Sequence, residues 1–234
     1  MPDIELLIAR WEDQQGHDRP RLRLSEDLPM PISAGQPWLT CDVQYQGREA
    51  FVALHQARWP RLPEGDLVVR LVAKEPYVPG YFAFREGPVL AKAIRLWRQR
   101  TGLEPALVMV DGHGTAHPRG FGLACWLGLE LDLPCLGLAK ESLLRFGEMP
   151  GPEAGCHAPI LLEGEPVGHV FRGKAGVKPV FASPGHRVSL AQCLELVAQL
   201  EFAHRLPEPA RRADQAARAA QRGQDAGFAW MSPD

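Results

Sequence analysis

Apolar positions lay out the plan of the chain. Ile4, Leu7, Ile8 and Trp11 recur at helical spacing, so residues 4–12 are expected to form a short helix, and the Pro- and charge-rich stretch up to Pro37 a loop. Three runs rich in β-branched or aromatic residues follow, at 39–45, 50–55 and 67–74, separated by Gly or Pro turns; short connections predict an antiparallel meander. Between 85 and 100, Val89, Leu90, Ala93, Ile94 and Trp97 fall three and four residues apart and Gly102 follows a basic last turn, the pattern of an amphipathic helix with a glycine stop. The apolar run 106–110 reads as a strand stopped by Asp111-Gly112, 121–131 as a mostly buried helix, and 135–139 as another short strand. Further strands are expected at 158–162, 167–171 and 179–182, and helices at 189–203 and 208–221, with the Ala/Arg/Gln-rich end from Ala210 to Gln224 prone to fray.

Three antiparallel strands followed by alternating helices and strands specify an α/β protein with a mixed sheet flanked by helices, the ribonuclease H-like order. In such a sheet, chemistry collects at the carboxyl ends of the parallel strands and at neighbouring helix starts.

Composition narrows the picture. A chain of 234 residues fits one hydrophobic core, so 1–234 is read as a single domain with a flexible tail from about 222. With 45% hydrophobic and 23% charged residues the chain resembles soluble globular proteins and excludes a fibrous or disordered class. Asp3, Glu5 and Glu12 among the first apolar residues oppose a secretory signal, and no apolar run approaches the roughly 20 residues of a membrane span, so a cytoplasmic protein without membrane partners is expected. Cys41, Cys125, Cys135, Cys156 and Cys193 contain no CxxC pair and are odd in number, which predicts reduced thiols. The formal net charge of -2 excludes a uniformly basic nucleic-acid binder. Any phosphate track must be local, and Arg119, Arg145, Arg172, Lys174, Lys178, Arg187, Arg211 and Arg212 are its candidates.

Three carboxylates stand where that fold would gather them. Asp42 interrupts an apolar strand, Glu86 opens a helix and Asp111 ends the run 106–110. Taken singly, Asp111 fits a turn or helix cap and Glu86 ordinary pairing with a helix dipole; Asp42 is sharper, because a mid-strand carboxylate among apolar neighbours needs a partner, a metal or a solvated face. Together they can hold one or two hard cations, Mg²⁺ or Mn²⁺, to stabilise phosphodiester hydrolysis. His113 and His117 offer a rival HxxxH zinc pair, opposed by Gly114 and Pro118, which favour a loop over a helix. Gly112 and Gly114 allow backbone to approach a ligand closely.

Five blocks, PYVPGYFAFREGP (76–88), VDGHGTAHPRGFGLA (110–124), GLAKESL (137–143), SPGHRVSL (183–190) and RLPEPARRAD (205–214), resemble the endonuclease V family in that order, and the likeness runs from about Leu39 to Asp214. The resemblance implies a ribonuclease H-like fold and Mg²⁺-dependent cleavage, with Mn²⁺ as substitute, of the second phosphodiester bond on the 3′ side of a deaminated purine in DNA. Asp42, Glu86 and Asp111 match the family's metal carboxylates, Lys140 its active-site lysine, His117 the histidine near the scissile phosphate, and Asp214 a further acidic or histidine ligand. Tyr77, Val78, Pro79 and Gly80 resemble the wedge that parts the strands at the lesion. Gly80, Gly112, Gly114, Gly122, Gly137 and Leu143 fall where the family builds its hypoxanthine pocket. The implied partner is deoxyinosine-containing DNA bound by a monomer; inosine-containing RNA, or inosine binding without cleavage, is compatible with the same blocks. The chain departs from the family pattern at Cys41, at Cys125-Trp126 and at Ala210, and Trp126 stands where a polar group near the site is expected.

Overall fold

In the computed structural model, which describes residues 4–233, the meander consists of β1 (Pro37–Gln46), β2 (Glu49–Arg58) and β3 (Leu62–Val72). Helix α2 (Phe82–Thr101) carries the chain to β4 (Leu107–Val110), and α3 (Leu123–Leu131) to β5 (Cys135–Ala139). A second antiparallel set follows, β6 (His157–Leu162), β7 (Glu165–Phe171) and β8 (Val180–His186), then α4 (Leu190–Ala198), α5 (Glu208–Gln221) and a short β9 (Ala229–Trp230). The nine strands form one mixed sheet in the order β6-β7-β8-β5-β4-β1-β2-β3-β9. β4 runs parallel to both β1 and β5, so the carboxyl ends of these three central strands lie side by side.

Side-chain alternation along β1 sorts residues between two cores. Leu39, Cys41 and Val43 join α2 and α3 in one apolar layer. Trp38 faces the other way, into the layer completed by α4, and by the period of two Thr40 and Asp42 share its face. On that second face Ala216, Ala217 and Ala220 of α5 press onto Phe51, Ala53 and Val68. Small side chains let α5 lie close to the sheet, and Gln221 donates to the Tyr45 carbonyl at 2.5 Å, so the helix is docked to its last residue.

The N-terminal helix, α1 (Ile4–Asp18), runs six residues beyond the expected end. Its polar-looking continuation is helical because Gln15 is 1% exposed and bonded on its buried side, extending the stripe Leu7, Trp11 at steps of four. Helix α2 begins at Phe82, so Glu86 sits in the second turn and not the first. Helix α4 is capped by Ser189 and Gln192 bonding each other's backbone, and it stops at Ala198, short of the expected 203. Beyond 222 the chain is not simply a tail: β9 pairs with β3 and Met231 is buried in the α2 core. All five cysteines are unpaired, four of them buried. Among the described residues no helix is long and apolar enough to cross a membrane.

Candidate active site

The middle of β1 and the carboxyl ends of β4 and β5 deliver Asp42, Asp111 and Lys140 to one place. Asp42 stands next to Cys41, which pairs with Val110, and the Asp111 amide extends that pairing by donating to the Cys41 carbonyl at 3.3 Å. Lys140 follows β5 directly and its ammonium lies 2.7 Å from Asp111 Oδ2. Helix α5, held against β1, adds Asp214, whose Oδ1 is 3.6 Å from the same ammonium. Ligand oxygens of Asp42, Asp111 and Asp214 all come within 4.8 Å of one another.

Two residues that sequence reading missed hold this group in place. Gln44, two residues along β1 and therefore on the same face, donates to Asp42 Oδ2 at 3.0 Å. Arg218, one turn after Asp214 on α5, grips both oxygens of that carboxylate at 2.9 and 3.1 Å. Both spacings, i to i+2 in a strand and i to i+4 in a helix, were signals available in the sequence.

Charge explains what the group is suited to hold. Burial, with Asp111 and Asp214 adding like charge, pushes the Asp42 carboxyl up to about 7. Glu86, 4% exposed, is driven well above the usual carboxylate range by burial and then by Asp42 and Asp111. Burial alone would lower Lys140, but Asp111, Asp214 and Asp42 outweigh it and keep the ammonium charged. Once all four carboxyls are ionised, as a bound cation would favour, Asp42, Glu86, Asp111 and Asp214 face two cations, Lys140 and Arg218, leaving a formal excess of two negative charges. An all-oxygen donor set with that excess fits one hard divalent cation, Mg²⁺ or Mn²⁺, and among the described residues no thiolate or imidazole joins the trio. Glu86 lies outside the tight trio but lines the same cavity, and Asp214, expected as a further ligand, joins Asp42 and Asp111.

The cavity, about 600 Å³, is lined by Asp42, Glu86, Asp111 and Lys140 together with Gly80, Gly112, Gly122 and Leu143. Exposed Tyr77 and half-exposed Leu143 form its lips. Of the six expected base-pocket residues, Gly114 and Gly137 do not reach the lumen. A Cβ on Gly114 would sit 2.0 Å from the Pro184 carbonyl oxygen, and one on Gly137 would sit 2.4 Å from that of Gly112. These two glycines let the 112–114 loop press onto β5 and β8 behind the wall, a backbone-to-backbone approach where backbone-to-ligand was expected. Within the expected wedge, Tyr77 and Pro79 are exposed, whereas Val78 packs against Leu7, Trp11 and Phe84.

His117 is buried, and both its ring nitrogens are engaged. Nδ1 accepts from the Arg119 amide at 3.2 Å, which leaves the proton on Nε2 to donate to the Gly80 carbonyl at 3.1 Å. Burial, reinforced by Arg119, lowers its pKa to about 4, so the ring is neutral. A zinc pair with His113 is therefore not formed. The expected phosphate track is also largely committed elsewhere: Arg172 holds the carbonyls of Pro150, Gly151 and Val177, Lys174 holds Ala203, Arg187 pairs with Asp132, and Arg211 and Arg212 pair with Glu208.

The departures from the expected pattern fall away from the lumen. The Cys41 thiol points into the α2 core, opposite Asp42; Ala210 packs against the α4 core; and Trp126 packs on α2 and the α1 cluster.

Known proteins resemble this chain in sequence and fold. The family model for endonuclease V matches residues 36–215. An endonuclease V of Xylella fastidiosa (strain Temecula1 / ATCC 700964) is 46% identical over 157 residues, 67% of this chain, and the match spans 63% of that protein's length. The endonuclease V of Geotalea uraniireducens (strain Rf4) is 43% identical over 237 residues, 99% of this chain and 98% of its own. The crystal structure of endonuclease V from Streptomyces avermitilis superposes with a TM-score of 0.81 at 34% identity, covering 92% of this chain and 93% of that one. A Ciona intestinalis endonuclease V shares the fold at 23% identity, TM-score 0.81, covering 93% of this chain and 98% of that one. By sequence match and fold, the chain belongs to the endonuclease V family.

Proposed function

We propose that this chain is a divalent-metal-dependent endonuclease that draws a deaminated purine, deoxyinosine in DNA, into the cavity and hydrolyses the second phosphodiester bond on its 3′ side. The observation that carries the reading is the juxtaposition of the Asp42–Asp111–Asp214 trio and Lys140 with a cavity large enough for a nucleobase and walled by glycine backbone. The Ciona protein was crystallised with a 24mer DNA containing an inosine followed by a ribo-adenosine. For this chain, a base extruded from the stack would meet the backbone of Gly112, whose polar groups can tell the hypoxanthine edge from that of adenine, where a donor replaces an acceptor, while Gly122, bonded to Gly114 and Trp126, supplies a wall without a side chain.

Asp42, Asp111 and Asp214 would hold Mg²⁺ or Mn²⁺, which supplies charge stabilisation to the phosphate and a lowered pKa to bound water. Lys140, poised between two of those carboxylates, can turn to the phosphate and neutralise charge that develops on it. Tyr77 offers an exposed ring to a neighbouring base, and Pro79 stiffens the turn that carries it. His117, neutral and doubly bonded, holds the wall rather than exchanging protons.

The test is a cleavage assay on oligonucleotides carrying one deoxyinosine, in Mg²⁺, Mn²⁺ and EDTA, with product mapping. Cleavage one nucleotide beyond the lesion's 3′ neighbour bond, present with either metal and absent in EDTA, is the expected outcome. Intact substrate with both metals refutes it. Faster cleavage of the corresponding inosine RNA would make the chain an inosine-directed ribonuclease.

A further inference from the structure

Gln15 is the one strongly buried polar residue of α1, and it does not bond within its own helix. Its amide nitrogen donates to the Phe121 carbonyl at 2.8 Å, and its amide oxygen accepts from Arg119 Nε. Arg119 passes the connection on: Nη2 donates to the carbonyl of Gly80, the same oxygen that His117 Nε2 reaches. Its guanidinium also lies 4.2 Å above the Tyr81 ring, and the Tyr81 hydroxyl donates to Glu12 of α1 at 2.5 Å. Trp11 stacks on Phe84 at 5.1 Å and tilts against Tyr81 at 5.7 Å, so α1 meets both the polar and the apolar side of the same turn.

That turn needs a clamp. The Tyr81 amide donates to the Val78 carbonyl at 3.0 Å with Pro79 and Gly80 between them, and Gly80 has φ of +82°, which is the type II geometry. Glycine at the third position makes the turn accessible but leaves its peptides free to reorient. Two donors converging on the Gly80 carbonyl remove that freedom and fix the direction in which exposed Tyr77 leaves the wall of the cavity.

We infer that Gln15 and Arg119 are positioning residues for strand engagement: α1, which precedes the segment matched by the family model, holds the 77–80 turn in the form that presents Tyr77 beside the cavity. Neither residue touches the metal trio. The inference rests on the proposed deoxyinosine cleavage. It implies that the clamp matters where two strands must be parted and much less where the lesion strand is already single.

Gln15→Leu and Arg119→Met, each compared with the intact protein, test this on one deoxyinosine strand presented alone and paired with its complement. Expected are a loss in kcat/KM of roughly tenfold on the duplex, the size of one charge-assisted hydrogen bond, and single-strand cleavage within about twofold of the intact protein. A 2-aminopurine placed opposite the lesion, read in EDTA, brightens less on binding of Gln15→Leu than of the intact protein. Equal losses on both substrates indicate a purely structural role and overturn the inference, as does full duplex activity in both variants. An unaltered protein that cuts neither strand overturns the proposed function, and the positioning role with it.

Discussion

Gly87 of α2 lies flat beneath the indole of Trp126: a Cβ there would stand 2.3 Å from Trp126 Cε3 and 2.6 Å from Cζ3. The bulky residue that departs from the family pattern is therefore seated against a helix backbone that has made room for it, one residue from Glu86. Gly87→Ala forces the indole to move and is expected to destabilise the protein by about 1–3 kcal/mol. Because Glu86 is its neighbour, cleavage should fall as well. Trp126→Phe, by contrast, should leave the metal requirement of cleavage unchanged. Thermal denaturation and a metal titration of the nicking rate check both; a Gly87→Ala protein as stable as the parent means that the Trp126 packing is looser than described.

Arg218 organises Asp214 without joining the metal set, through two hydrogen bonds to one carboxylate. Arg218→Leu is expected to raise the Mg²⁺ concentration needed for half-maximal cleavage by about 10–100-fold, the usual effect of losing a residue that orients a ligand, with much of the rate regained at saturating Mn²⁺. Asp111→Asn removes a ligand and the Lys140 partner together, and no metal concentration should recover more than about a thousandth of the rate. Circular dichroism of both variants should match the parent, since the core does not include these groups. If Arg218→Leu responds to metal like the parent, its grip on Asp214 is incidental.

How far the sequence reached depends on which forces wrote each element. The helices and central strands were legible because apolar periodicity marks a face buried against a layer; Val89, Ala93 and Trp97 are buried in α2 as their spacing demands. Asp42 and Asp111 were legible because neighbouring central strands bring them together by topology, and Lys140, which follows β5, through family resemblance. The clustering of Asp214 was read only through family resemblance, since it depends on how closely the alanine face of α5 approaches β1, a matter of packing distance that no periodicity expresses. The last turn and a half of α1 was missed for a related reason. Gln14, Gln15 and Gly16 look like loop, and only the distant Phe121 carbonyl and Arg119 make a buried glutamine worth keeping helical. Strand β9 was invisible because two residues paired to an edge strand leave no pattern.

The raised Asp42 carboxyl makes a signed prediction about pH. Its ordinary value is 3.8 and in the folded protein it is about 7, so between those values the folded state binds more protons than the unfolded one. A raised folded value contributes stability that is complete below about pH 4 and is lost as pH climbs through about 7. In EDTA, the native protein should thus lose on the order of 2–4 kcal/mol between pH 5 and pH 8 relative to Asp42→Asn, which has no such proton to release. Titrations of groups remote from Asp42 cancel in that difference. Divalent cations should reverse it, stabilising the native protein most at pH 8, where the ligands are ionised, and cleavage should rise through the same window. Urea unfolding at the two pH values, with and without Mn²⁺, measures it. Parallel pH dependence in the two proteins contradicts the assignment of Asp42 as the titrating ligand.

His117 lines the cavity, where the family resemblance expects a histidine near the scissile phosphate, and its bonding bears on what it does there. A histidine near a scissile phosphate invites the role of general acid, yet here Nδ1 accepts from the Arg119 amide and Nε2 donates to Gly80, with the ring held neutral by burial. A pKa lowered to about 4 means that the folded protein resists protonating this ring until well below the range in which free histidine titrates. Its ring protons should accordingly show no chemical-shift titration between pH 8 and pH 5.5 in a histidine-resolved NMR experiment. His117→Gln, which can still donate to the Gly80 carbonyl, should keep the parent's pH profile and lie within about tenfold of its rate, whereas loss of a general acid removes about 10²–10⁴-fold. His117→Leu, which cannot donate, should behave like Arg119→Met, losing duplex cleavage and keeping single-strand cleavage, because both variants release the same carbonyl. A His117→Gln protein that loses the larger factor together with one limb of its pH profile would return His117 to the chemistry and leave Arg119 as the only side chain that holds the turn.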